Sequence, residues 1–295
     1  MSVLAITAAL GASFSWAAGA MIAHAPARRL GAFEFTRTQL ISSSALLLLI
    51  ASIAGSWPSV AWDHWPGFAT SSLVGVLLGN LAMVACLQRG GPRRTQLLAA
   101  MSAPIAMVLG YLFLGETISP QKLAGAALAL GGAGLAIMYG LGAGGLEPAV
   151  GSLPRIVILG LASATCQAIG LIALKPALLA GTEPFAASAL RTTGGAFAMA
   201  LIALWPLAAF QSATKPTGRL ILWAILPGFL GYVVAVSLLL YAVRSYETGV
   251  AAALGSVSPI IMLPMIWFNT KRRPPLQAWI GAILVVLGTG LILVS

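Results

Sequence analysis

The chain has 295 residues, of which 59% are apolar and 7% charged, and its mean hydropathy is +0.98. A soluble domain carries about 25% charged residues, so the composition excludes a soluble enzyme, a disordered chain and a free nucleic-acid binder; it describes a chain whose solvent is mostly lipid. The net charge of +10 does not reverse this, because the 16 basic residues stand in short stretches between apolar runs, where orientation in a membrane accounts for them.

A spanning helix needs roughly 20 apolar residues, and about 30 with its loop, so the length allows about ten spans and no sizeable soluble domain. Ten apolar segments are read, at roughly 2–24, 31–55, 67–88, 93–114, 120–140, 154–175, 184–209, 218–243, 248–269 and 275–294. The first has no basic residue before it, and Pro26 follows the cleavage-like Ala23-His24-Ala25, so it is expected to be a retained helix. Within it Ser13, Ser15 and Trp16 lie at mid-depth, and Gly11, Ser15 and Gly19 form a stripe of small residues suited to close helix packing. The second carries Glu34 and Arg37 in its opening turns, and the third carries Gly75, Gly79, Asn80 and Met83. The fourth is interrupted by Pro104 beside Ser102, and the fifth is glycine-rich. A stretch with Gly142, Gly144, Gly145, Glu147 and Pro148 then reads as a linker. The division is 1–140, a linker at 141–153, and 154–295. In the second part, Gln167 lies mid-way along its first helix, Arg191 near the start of its second, Tyr232 and Ser237 in its third, and Pro259 beside Ser258 in its fourth.

The two parts repeat in order. Gly31 to Thr38 aligns with Pro184 to Thr192, which sets Arg37 opposite Arg191. Ser102-Ala103-Pro104-Ile105 aligns with Val257-Ser258-Pro259-Ile260, and Gly125, Gly132 and Gly134 align with Gly281, Gly288 and Gly290. Leu10-Gly11 aligns with Leu159-Gly160, so the offset rises only from about 149 to about 156 along the chain. A duplicated unit with an odd number of spans inserts its second copy upside down, which is the inverted repeat of many secondary transporters. The fold class expected is therefore all-α integral membrane, with ten transmembrane helices as two inverted five-helix repeats. Arg28, Arg29, Arg89, Arg93, Arg94, Arg155, Lys215, Arg219, Lys271, Arg272 and Arg273 fall in one set of loops, against Lys122, Lys175 and Arg244 in the other. The first set is expected on the cytoplasmic side, with both termini on the outer, periplasmic face of an inner membrane.

The run Leu87-Gln88-Arg89-Gly90-Gly91-Pro92-Arg93-Arg94-Thr95, then Pro104, then Leu114-Gly115-Glu116, then a glycine-rich helix, resembles the EamA domain of the drug/metabolite transporter superfamily. The second part resembles the same domain at Tyr241-Ala242, Pro259 and Gly281 to Gly290; it departs at Phe268-Asn269-Thr270-Lys271, where Leu-Gly-Glu would stand. The resemblance implies two inverted halves around a central cavity. It also implies export of amino acids or other metabolites, with relatives that carry nucleotide sugars and sugar phosphates.

The six acids, Glu34, Asp63, Glu116, Glu147, Glu183 and Glu247, all lie near segment ends or in loops. A proton-coupled multidrug pump uses a carboxylate buried in the bilayer, and a membrane prenyltransferase needs paired acids for magnesium pyrophosphate, so both are disfavoured. Arg37 and Arg191 read either as guanidiniums near opposite cavity mouths that attract carboxylate or phosphate, or as side chains that snorkel or pair with Glu34 or Glu183. Pro104 and Pro259 would free the carbonyls of Ala100 and Gly255, and with Ser102 and Ser258 they give either a polar notch at mid-membrane or a packing kink. Trp16, Ser13 and Gln167 read as cavity lining or as ordinary packing, and Asn80, Met83 and Tyr232 as weaker lining candidates.

The expected function is a secondary transporter, not an enzyme, that exports small polar metabolites, amino acids foremost. The alternatives are phosphorylated or nucleotide-linked cargo, or a membrane-embedded enzyme or lipid-handling protein. No cofactor and no metal are expected: only His24 and His64 are present, and Cys86 and Cys166 read as buried hydrophobes. The partners expected are a small-molecule substrate and the lipid bilayer, without nucleic acid, for a monomer or weak homodimer.

Overall fold

The computed structural model describes residues 3–139, 152–204, 217–245, 258–271 and 273–294, and among them every regular element is a helix. Helix α1 (Val3–Leu30) and α2 (Ala32–Ile53) follow one another through Gly31. A loop of two short 3₁₀ turns then exposes Trp62 and Trp65. The next rod starts as α3 (Trp65–Thr70), passes through a wider π-helical stretch at Ser71–Leu78, and continues as α4 (Gly79–Ala99). Inside α4 the helix breaks at Gly91, whose φ of 77° and ψ of 170° are open to glycine, and it restarts at Pro92. After a turn at Ala100–Met101 come α5 (Ser102–Leu114) and α6 (Pro120–Tyr139). The second part holds α7 (Leu153–Leu179), α8 (Pro184–Ala203), α9 (Gly218–Gly228), a second π-helical stretch at Phe229–Val236, α10 (Ser237–Ser245), α11 (Ser258–Thr270) and α12 (Leu276–Val294). The expected linker up to residue 151 and the opening turns of the ninth expected segment lie outside the described residues.

Five of these stretches are long and apolar enough to cross a membrane: Ala32–Ile53, Trp62–Ala99, Leu153–Leu179, Pro184–Ala203 and Gly218–Arg244. Ser102–Leu114 and Leu276–Gly288 are shorter apolar helices. The fourth expected segment is not one continuous helix, because the turn at Ala100–Met101 divides it. Arg93 and Arg94, read from the sequence as loop residues, sit in the turn after Gly91 with 3% of their surface exposed, and Arg94 Nη1 donates to the Gly90 carbonyl at 3.1 Å.

Small residues decide which helices touch. A Cβ on Gly132 would lie 2.6 Å from the Gly281 carbonyl oxygen, and one on Gly288 would lie 2.5 Å from that of Gly125, so α6 and α12 meet backbone to backbone. Seven residues up α6 correspond to seven residues down α12, so the two run antiparallel. The stripe of α1 is likewise filled from the second part, with Gly11 against Leu238 and Gly19 against Pro227 and Leu230. Reciprocally, α7 packs on the first π-helical stretch and α4, with Gly170 on Gly75 and Cys166 on Gly79. The first helix of each part is thus clasped by the third rod of the other, and α2 packs on α8 between them.

Two helix ends repeat in shape without repeating in sequence. α5 ends on Gly115, left-handed at φ 67°, and the Glu116 N–H closes the end on the Gly110 carbonyl at 3.2 Å. The Glu116 side chain folds back over Gly110, where a Cβ would collide with it. α11 is also 13 residues long and is followed by Lys271, also left-handed at φ 56°, whose N–H reaches the Trp267 carbonyl at 2.8 Å. The departure at Phe268 to Lys271 therefore keeps the turn and loses the glycine.

Candidate functional site

Two cavities share a wall in the middle of the bundle. The larger encloses about 800 Å³ of empty space, mouth included, and takes its lining from α1, α2, the first π-helical stretch, α4, α7, α8, α9 and the second π-helical stretch. The smaller, of about 480 Å³, lies against α5, α10 and α11. Trp16, Met83, Gln96 and Gln167 line both and so form the wall between them.

Arg191 supplies the charge of the larger cavity. It lies seven residues, about 10 Å, inside α8, and only 6% of its surface is exposed. Among the described residues its guanidinium has neither a hydrogen bond nor an ion pair, and its Nε is fully buried. Room for it comes from the crossing of Gly75 and Gly170: a Cβ on Gly75 would lie 3.1 Å from Arg191 Nη2. Tyr232 and Thr192 line the same cavity, and their hydroxyls are buried without a hydrogen-bond partner among the described residues. A buried donor without an acceptor costs about 1–3 kcal/mol, and three such groups belong to residues that line this one cavity, an arrangement whose donors match the oxygens of an anion. Amides surround them. Asn80 Nδ2 donates to the Val76 carbonyl at 2.5 Å, Gln167 Nε2 to Ser163 Oγ at 3.3 Å, and Gln39 closes the α2 side. Trp16, Phe35 and Met83 give the cavity its apolar surface. No Asp or Glu occurs among its described lining residues, and no group of three or more potential metal ligands exists among the described residues.

Arg37, at the matching place in α2, is arranged differently. Its Nη2 donates to Glu34 Oε1 at 2.8 Å and lies 2.7 Å from Oε2, the side chain is 36% exposed, and it lines neither cavity. Three residues before Arg191 the chain has Ser188 instead of an acid, and Ser188 Oγ accepts a hydrogen bond from Ser237 at 3.1 Å. Glu183 does not reach Arg191; it stands 4.0 Å from Arg244 at the surface.

Of the other residues expected from the sequence, Trp16, Asn80, Met83, Gln167 and Tyr232 line the larger cavity, and Ser102 and Ser258 line the smaller. Ser13 is buried in α1 and bonded, away from both linings. Pro104 is buried outside both, and it leaves no free carbonyl at Ala100, because the Ala103 N–H closes on that oxygen at 3.2 Å in a tightened turn. The Pro259 side chain and Gly255 lie outside the described residues. The sequence reading missed Gln39, Thr192 and Gln96. Gln96 ties the wall together: its Oε1 accepts from Ser258 Oγ at 3.0 Å, and its Nε2 donates to the Trp16 carbonyl at 3.3 Å. Its signal was a lone amide in the opening turn of an otherwise apolar segment, two residues beyond an arginine pair.

The model of a family described as the EamA-like transporter family matches residues 3–138 and again 154–294. A solved structure, described only as the crystal structure of a protein, is similar in fold at a TM-score of 0.74 and 17% identity, over 97% of this chain and 95% of the other. No curated protein matches the chain.

Proposed function

The chain belongs to the EamA-like transporter family and is a multi-pass membrane transporter, and from that premise we propose that it exports small polar metabolites, amino acids foremost, across the inner membrane by alternating access. In this reading ten spanning helices form two inverted five-helix repeats, with residues 1–140 and 154–295 as the units. The antiparallel seam of α6 and α12 supports the inversion, since its paired glycines are the residues that align between the two parts. The reciprocal clasping of α1 and α7 supports it independently.

The observation that carries the transport reading is the large cavity between helices of both parts, with Arg191 unpaired inside it. That cavity reaches Ala23 and Leu87, in the turns that lead to Arg28 and Arg89. The smaller reaches Leu171 and Leu239, in the turns that lead to Lys175 and Arg244. One chamber thus extends toward the basic side and the other toward the less basic side, and the Trp16–Gln96–Ser258 contacts stand between them as the closed gate. Without a carboxylate among the described lining residues, the carrier runs as a facilitator or a weakly coupled exchanger, so an imposed proton gradient leaves the initial rate unchanged. Phosphorylated cargo is the second reading, favoured by the same guanidinium, which binds phosphate as it binds carboxylate.

The test is counterflow in proteoliposomes: vesicles loaded with one unlabelled amino acid or metabolite should take up the same labelled solute saturably, and Arg191→Gln should abolish it. Failure of every amino acid and small polar metabolite to exchange would remove this assignment.

A further inference from the structure

We propose that the cargo of the Arg191 cavity is an organic monoanion, held by its anionic head on Arg191, Tyr232 and Thr192 and by an apolar body against Trp16 and Met83; this rests on the cavity being the transport site. The first ground is the contrast between the two arginines. At matching places in α2 and α8, one guanidinium is neutralised by an acid three residues earlier, while at the other Ser188 stands in the acid's place and is itself bonded to Ser237. A buried guanidinium is costly unless a counter-charge joins it, and the protein supplies none among the described residues. Glu34 is taken by Arg37, Asp63 is exposed in the loop after α2, Glu116 is folded over Gly110, and Glu183 faces Arg244; Glu147 and Glu247 lie outside the described residues.

The second ground is the neighbourhood of the charge. Two hydroxyls without partners among the described residues, those of Tyr232 and Thr192, line the same cavity and can donate to the oxygens of an anion held on the guanidinium fork. The third is charge balance. When the wall and the mouth are both shut, one negative charge leaves the chamber neutral. A zwitterion leaves it at plus one, with an ammonium that finds only amides, and a phosphate monoester leaves it at minus one. The site therefore selects net monoanions over zwitterions of the same shape, which narrows the small-metabolite cargo proposed above to organic acids in preference to neutral amino acids.

The experiment uses the full-length protein in nanodiscs and probes that share one body: 3-phenylpropionate, its amide, phenylalanine, phenethylamine and 2-phenylethyl phosphate. Direct binding is expected to favour 3-phenylpropionate over each of the others by about tenfold or more. Arg191→Gln should erase the preference over the amide, Arg191→Lys should keep the order, and Arg37→Gln should change nothing. Tyr232→Phe, which keeps the ring and the fold, should weaken the carboxylate several-fold and leave the amide alone; this variant decides the matter if the glutamine variant is not monodisperse. Phenylalanine or the phosphate binding as tightly as 3-phenylpropionate, an unchanged preference in Arg191→Gln or in Tyr232→Phe, or no binding by any probe each overturns the proposal. If the acid binds selectively but no labelled solute undergoes counterflow, the transport reading fails and the ligand class stands. If phenylalanine exchanges as fast as the acid, the reverse holds.

Discussion

Tyr232 carries a buried hydroxyl without a hydrogen-bond partner among the described residues. Replacing it with phenylalanine removes a buried donor without a partner, which costs about 1–3 kcal/mol where it stands. The ligand-free variant should therefore melt higher than the parent while binding its anion less tightly, two opposite signs that a packing role would not give; thermal unfolding with and without 3-phenylpropionate reads both. Gly75 is the neighbouring control on space. A methyl there would lie 2.9 Å from Gly170 Cα and 3.1 Å from Arg191 Nη2, and such overpacking costs about 1–3 kcal/mol, so Gly75→Ala should weaken anion binding about tenfold in the same assay. At the end of α11, Lys271 holds a left-handed φ that disfavours a side chain by about 1–2 kcal/mol. Lys271→Gly should raise the melting temperature. Much of this scale was legible in the residues: Glu34 stands three before Arg37, within reach on one helix face, and nothing acidic stands three before Arg191. What the sequence withheld was the emptiness around Arg191, because that depends on what the first π-helical stretch, α7 and the second π-helical stretch bring to it.

Hydropathy marks where apolar helices lie and says little of which face looks where, since helices in lipid are apolar all round. That is why the rods and the interruption between 88 and 93 were readable and the turn at Ala100 was not, and why Arg93 and Arg94, counted with the loops, are buried. Pro104 shows the same limit: the missing N–H was certain from the sequence, but whether a carbonyl stayed free depended on the turn before it, which closes on that oxygen. The α6–α12 seam yields a paired test. At Gly132 a methyl would meet the Gly281 carbonyl, Leu284 and the Val285 nitrogen, whereas at Gly131 nothing lies within 4 Å. Gly132→Ala should lower stability by about 1–3 kcal/mol, while Gly131→Ala should be neutral or stabilising by up to about 1 kcal/mol through helix propensity. Equal effects at the two positions, by thermal unfolding in detergent, would show that the seam is not packed as described.

For the whole molecule, we propose from the excess of arginine and lysine in one set of turns that this side faces the cytoplasm and both termini face outside. Single cysteines introduced at Ser2 and Ser295, in a chain with Cys86 and Cys166 replaced, should react with a membrane-impermeant maleimide in intact spheroplasts; labelling only after lysis would reverse the orientation. The count of turns and charges was open to sequence reading. The chamber was not, because its walls come from residues as far apart as Trp16 and Tyr232 that only the interlocking of the two parts brings together.

The left-handed turn after α11 speaks of ancestry. One family's pattern fits the chain twice, yet the second copy has a lysine where the first has a glycine, and the bend has survived the exchange. What the two copies share at that corner is a path for the backbone, not a letter. Likeness between such halves is therefore to be sought in their contours before their spelling.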